Sequence, residues 1–151
     1  MHATLKGIAL AQYRFEKLFS PEEANELIPT LEGLVRALQL QVSDLRERIR
    51  KIVNLDSDVD SIPLARIIDL HPELKPAAAR MGELAQQVES LGCFLKDIDQ
   101  GLVDFPAEVD DGDVVFLCWQ FGEPSVLAWH PVEGGFAERK PLPGARKQYL
   151  N

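Results

Sequence analysis

Histidine, cysteine and basic charge are all in short supply in this chain. Three His and two Cys in 151 residues leave little for a nucleophilic or soft-metal mechanism. No spacing among them matches a catalytic triad, a phosphate loop or a metal signature, and no cofactor is expected. Cys93 and Cys118 sit inside apolar runs with no basic residue or His beside them in sequence to activate a thiolate, so they read as small buried hydrophobes. Sixteen Lys and Arg against 24 Asp and Glu give a net charge of −8. That balance excludes the phosphate-driven binding of nucleic acid and attraction to an anionic membrane surface. No apolar run comes near the roughly 18 residues that span a bilayer, and the N-terminus lacks a secretory pattern, so a cytoplasmic protein is expected.

What is present is apolar patterning, at 46% hydrophobic residues, enough for one core and one domain over 1–151. Ser20-Pro21-Glu22-Glu23 combines a capping side chain, a proline suited to the first helical position and a glutamate that completes a capping box. Leu27, Leu31, Leu34, Leu38, Val42, Leu45, Ile49 and Ile52 then recur in steps of three and four, which predicts an amphipathic helix from Pro21 to near Val53, kinked or broken by Pro29. Residues 54–72 carry four Asp and two Pro and read mainly as an acidic loop, with Ser61-Ile62-Pro63 able to start a short helical turn. A second helix follows through Leu74, Ala78, Met81, Leu84, Val88 and Leu91, and Gly92 is placed to take positive φ after its end.

After Gly92 the period shifts towards two. Cys93 to Ile98 and Leu102 to Phe105 read as strands around Asp99-Gln100-Gly101, with Pro106 ending the second. Val114 to Gln120 and Ser125 to His130 read as a second hairpin around Phe121-Gly122-Glu123. With Trp119 opposite Ser125, one face carries Val115, Leu117, Trp119, Leu127 and Trp129, and the other carries Val114, Phe116, Cys118, Val126, Ala128 and His130. The expected fold class is α+β: a long antiparallel helical hairpin over 20–92 packed on a small, about four-stranded antiparallel sheet over 93–142. Residues 1–18 form an arm or, from Tyr13, an edge strand, and 143–151 a tail. Because both sheet faces are apolar, the face away from the helices needs cover, and a second copy of the chain is the expected source.

Phe19-Ser20-Pro21-Glu22-Glu23-Ala24-Asn25, Gly101-Leu102-Val103-Asp104-Phe105-Pro106, Trp119 with Gly122-Glu123-Pro124, Trp129-His130, Gly135-Phe136 and Arg139 together resemble an uncharacterised bacterial family, domain of unknown function 2203. The resemblance covers roughly Phe19 to Leu142. It implies a small cytoplasmic protein and brings no reaction, ligand or catalytic residue with it.

Four side chains near the expected turns are the candidate ligand-binding residues: Asp104, Glu123, His130 and Arg139. His130 is the one among them that exchanges protons near neutrality. Arg139 offers a planar fork to a carboxylate or phosphate, or pins its loop through Asp104 or Glu123. A metal set drawn from Glu123, His130, Glu133 and Asp104 has one His where facial sites usually have two, and no metal is assigned. The acids Asp97, Asp99, Asp104, Glu108, Asp110, Asp111 and Asp113 are better read as turn formers than as a calcium loop. The expected function is therefore a non-enzymatic interaction module, a homodimer that can also engage a protein partner. The alternative is a ligand- or metal-binding domain or small hydrolase at the four candidate residues.

Overall fold

A computed structural model describes residues 15–53, 62–109 and 112–143. Within them four helices precede a five-stranded sheet. The helices are α1 (Pro21–Glu26), α2 (Ile28–Val53), α3 (Leu64–Leu70) and α4 (Lys75–Ser90). The strands are β1 (Phe94–Asp97), β2 (Leu102–Glu108), β3 (Val114–Gln120), β4 (Ala128–Pro131) and β5 (Lys140–Pro141). They lie in chain order, each antiparallel to the next. The class is α+β, as the patterning predicts, with one more strand than expected.

The capping box forms: the Glu23 amide donates to Ser20 Oγ at 3.1 Å, and the Ser20 amide donates to Glu23 Oε1 at 3.1 Å. Proline breaks the helix rather than bending it. α1 ends before Leu27, and Pro29 sits in the first turn of α2, where a missing amide proton costs nothing. α2 and α4 run antiparallel. Leu31, Val35 and Leu38 share a core with Leu84 and Val88 at one end, while Leu45 and Ile49 meet Leu74 at the other. The stretch expected as loop contains helix α3, whose Ile67 seals that second cluster. Positions 54–61 lie outside the described residues.

Pro106 does not end β2. The strand runs to Glu108, with Pro106 opposite Phe116. A strand residue's C=O and N–H point to the same side. Pro106 turns that side away from β3, past the end of β1, and its carbonyl accepts the Phe19 amide at 2.7 Å. The missing donor is therefore not missed by the ladder. That bond also fixes the segment before α1. The strand expected from Tyr13 to Phe19 does not form over 15–19, and Tyr13 and Arg14 lie outside the described residues.

Between β3 and β4 the register places Leu117 opposite Trp129, so Trp119 falls opposite position 127 rather than Ser125. An offset of two preserves which side chains share a face. The inner face carries Val103, Phe105, Ala107, Val115, Leu117 and Trp119 into the helices. The outer face carries Phe94, Asp104, Phe116, Cys118 and His130. Val126, expected outside, precedes β4 and joins the inner core, where its amide donates to Asn25 Oδ1 at 2.6 Å. The chain itself covers much of the outer face. Phe15 packs edge-on against Phe94 and Phe116, and the segment after β4 folds back over the rest.

Candidate functional site

Sheet pairing sets Asp104 opposite Cys118, and Cys118 opposite Ala128, two residues before His130 on the same face. Three neighbouring strands thus deliver a carboxylate, a thiol and an imidazole to one spot. His130 Nε2 lies 2.9 Å from Asp104 Oδ2, and His130 Nδ1 lies 2.8 Å from the Pro131 carbonyl oxygen. Asp104 is 3% exposed, His130 2% and Cys118 1%.

A carbonyl oxygen only accepts, so Nδ1 must carry a proton. The Nε2–Asp104 hydrogen bond then holds a further proton, on the imidazole or the carboxyl group. Burial pulls the His130 pKa down, but the Asp104 hydrogen bond and charge, helped by the Pro131 carbonyl, more than offset it and leave the pKa above its ordinary value. Burial pushes the Cys118 thiol up to about 12, with the Asp104 carboxylate adding to the effect. Raised that far, the thiol is neutral near physiological pH. Cys93, whose thiol is likewise raised to about 12 by burial, donates to the Val88 carbonyl at 3.3 Å on the other side of the sheet.

A cavity of about 100 Å³ opens against the cluster, and Leu102, Lys96 and the Gly134-Gly135-Phe136 segment complete its lining. The segment is held by its own turn. The Gly134 amide donates to the Pro131 oxygen at 2.9 Å, the acceptor that also orients His130, and the Gly135 amide donates to Glu138 Oε2 at 2.6 Å.

The other two candidate residues form a separate pair. Arg139 Nη2 donates to Glu123 Oε2 at 2.8 Å, with side chains 8% and 12% exposed. Glu123 Oε1 accepts the Gln120 amide at 2.7 Å, and the Glu123 carbonyl accepts the Trp119 indole N–H at 3.0 Å. The pair therefore ties the β4–β5 segment to the end of β3. Arg139 Nε is buried with no partner. Asp104, Arg139 and Glu123 are all near enough to Cys118 for their charges to act on its thiol. Glu133 is exposed and stands outside the cluster. His71 lies in the helical half beside Glu73, and His2 lies outside the described residues.

The acids at the turns disperse. Asp97 accepts the Gln100 amide at 2.9 Å, Asp99 takes both Arg46 Nη atoms at 3.0 and 3.2 Å, and Asp110 and Asp111 lie outside the described residues. Among the described residues the one group of three or more potential ligands is Asp104, Cys118 and His130. Cys118 is the member that sequence reasoning missed. The signal was its place on the His130 face of the hairpin, which is a statement about pairing rather than about neighbours in sequence. A larger cavity, about 650 Å³ between α2, α3 and β1, is walled mostly by Val42, Leu45, Ile49, Ile67 and Leu95. Its polar wall is already matched: Arg46 pairs with Asp99, and Asp97 accepts the Gln100 amide.

The fold is a helical pair laid across an antiparallel meander, with a buried polar cluster on the meander's far face. The chain belongs to the family of uncharacterized conserved proteins DUF2203, which it matches over residues 17–142. No curated protein and no solved structure matches it.

Proposed function

We propose that this chain is a small ligand-binding domain whose site is the cavity at Asp104, Cys118 and His130. The observation that carries the reading is the burial of a hydrogen-bonded His–Asp pair against an internal space. Taking such a pair out of water costs several kcal/mol per ion, and apolar side chains of the same size often give equal or better stability. A buried pair beside a cavity is thus better accounted for by binding or proton exchange than by folding. His130 is the residue that exchanges a proton, and Asp104 sets its orientation and charge. Glu123 and Arg139 act as a clamp that holds the covering segment in place. Whether a reaction follows binding depends on the ligand.

Native mass spectrometry of untagged protein tests the reading. The expected result is a mass above that of the bare chain, lost in His130→Phe, which keeps a flat aromatic ring but not the nitrogens. A bare chain in both proteins overturns it.

Self-association as a homodimer, in a non-enzymatic interaction module, is the second reading. It no longer rests on an open sheet face, since Phe116, Cys118 and His130 are buried within the chain. What supports it is Leu40 on α2 and Leu70 on α3, 67% and 66% exposed. Light scattering across a concentration series that finds only monomer removes it. A reducing compartment such as the cytoplasm suits either reading, because both thiols are free.

A further inference from the structure

We propose that Asp104, Cys118 and His130 bind a divalent metal ion of the zinc class, with a fourth coordination position open to the cavity. The proposal rests on the reading of this cavity as a ligand site and names the ligand. The carboxylate oxygen, thiol sulfur and imidazole nitrogen all lie within 4.8 Å of one another. Tetrahedral zinc with bonds of roughly 2.0–2.3 Å holds such donors about 3.4–3.6 Å apart. Small side-chain rotations therefore suffice, and the hydrogen bond between His130 and Asp104 opens to admit the ion.

Three further features fit a metal better than a plain ion pair. First, His130 Nδ1 donates to the Pro131 carbonyl at 2.8 Å, which fixes the ring and aims Nε2 at the cluster, as the outer partners of metal-bound histidines do. Second, thiolate and imidazole select a borderline-soft ion and leave magnesium and calcium, which prefer all-oxygen sites, at a disadvantage. Third, a dication with one thiolate, one carboxylate and a neutral imidazole is electrically neutral, which suits three residues this deeply buried. The ion displaces one proton from the Cys118 thiol and one from the His130–Asp104 hydrogen bond, and both leave to solvent. The cavity of about 100 Å³ has room for a water or a small donor group at the fourth position. Three protein ligands with an open place is the arrangement of a reactive rather than a purely structural zinc.

The test uses the full chain, stripped with a chelator and titrated with Co²⁺ as a spectroscopic probe, followed by Zn²⁺. The expected result is one equivalent of Co²⁺, a thiolate-to-cobalt charge-transfer band and four-coordinate visible bands, all removed by Zn²⁺. Cys118→Ser, nearly isosteric and checked for folding by circular dichroism, loses the charge-transfer band. Asp104→Asn, which keeps the shape, weakens Co²⁺ binding by about tenfold or more. Binding without the charge-transfer band, or a band that survives in Cys118→Ser, overturns the proposal. If the stripped chain takes no Co²⁺ but native spectra retain an organic mass that His130→Phe abolishes, the metal falls and the ligand-site reading stands. If neither appears, both fall.

Discussion

The two faces of the sheet are equally dry and differently made. On the inner face Val103, Phe105, Leu117 and Trp119 are fully or almost fully buried under α2 and α4, with carbon against carbon and the indole N–H matched. On the outer face Asp104 and His130 are as well hidden, yet loops rather than helices cover them, and an unfilled space remains beside them. Burial alone therefore does not mark the core that holds this protein together. The inner face earns its dryness through packing, whereas the outer face keeps charge dry, which stability alone does not require.

The sharpest way to break the comparison is to damage each face in turn. Phe105→Ala, on the inner side, is expected to cost about 3–5 kcal/mol in urea unfolding, from lost transfer energy plus the cavity left behind. His130→Ala is expected to cost a similar amount, about 3–5 kcal/mol, because it leaves the Asp104 carboxylate buried and uncompensated. The faces separate when both outer partners change together. Asp104→Leu combined with His130→Leu is expected to be neutral or stabilising by about 1–4 kcal/mol while abolishing ligand binding. A large loss of stability in that double variant would make the outer pair structural and erase the contrast.

Gly101→Ala tests the turn between β1 and β2, which packs on Phe121. Its φ of +68° lies in the left-handed region, and a Cβ there would collide with Phe121 Cβ. We expect a loss of about 2–4 kcal/mol, from backbone strain plus overpacking. In the metal-free protein, pH acts on the outer face through His130. The His130 pKa is raised in the fold, so its stabilising contribution is complete below its ordinary value of 6.5 and is lost as pH rises through the folded value. Urea midpoints should therefore fall as pH rises above neutrality, and Asp104→Asn should flatten that slope. The smallest effect is expected from the exposed ion pair. Arg46→Ala breaks a contact to Asp99, whose side chain is 62% exposed, and should cost under about 1 kcal/mol.

How much of this was legible in the sequence follows from the range of each signal. The capping box, the two helical stripes and the turn at Gly92 depend on residues a few places apart, and each appears where expected, save that Ile52 at the end of the first stripe is exposed. Alternation also put Cys118 and His130 on one face despite a pairing offset, since an even offset leaves faces unchanged. Pro106 was misread because its tolerance depends on Phe19, 87 places away, which supplies an amide where no strand lies. Strand alignment between β2 and β4 decides that Asp104 meets His130 rather than Arg139, and no local rule sets it. The same limit hid Cys118, which has no activating neighbour along the chain and gains its partners only through the sheet.

The strand order carries a consequence for how the molecule forms. Every strand pairs with the one made just before it, so the sheet can assemble by successive short closures, without waiting for a distant segment. The long-range closure is the packing of the sheet on α2, since Leu31 and Trp119 share a core although 88 places apart. Leu31→Ala, which loosens the α2 contact, should slow folding, whereas Arg80→Ala, which breaks an exposed pair within α4, should leave the rate nearly unchanged.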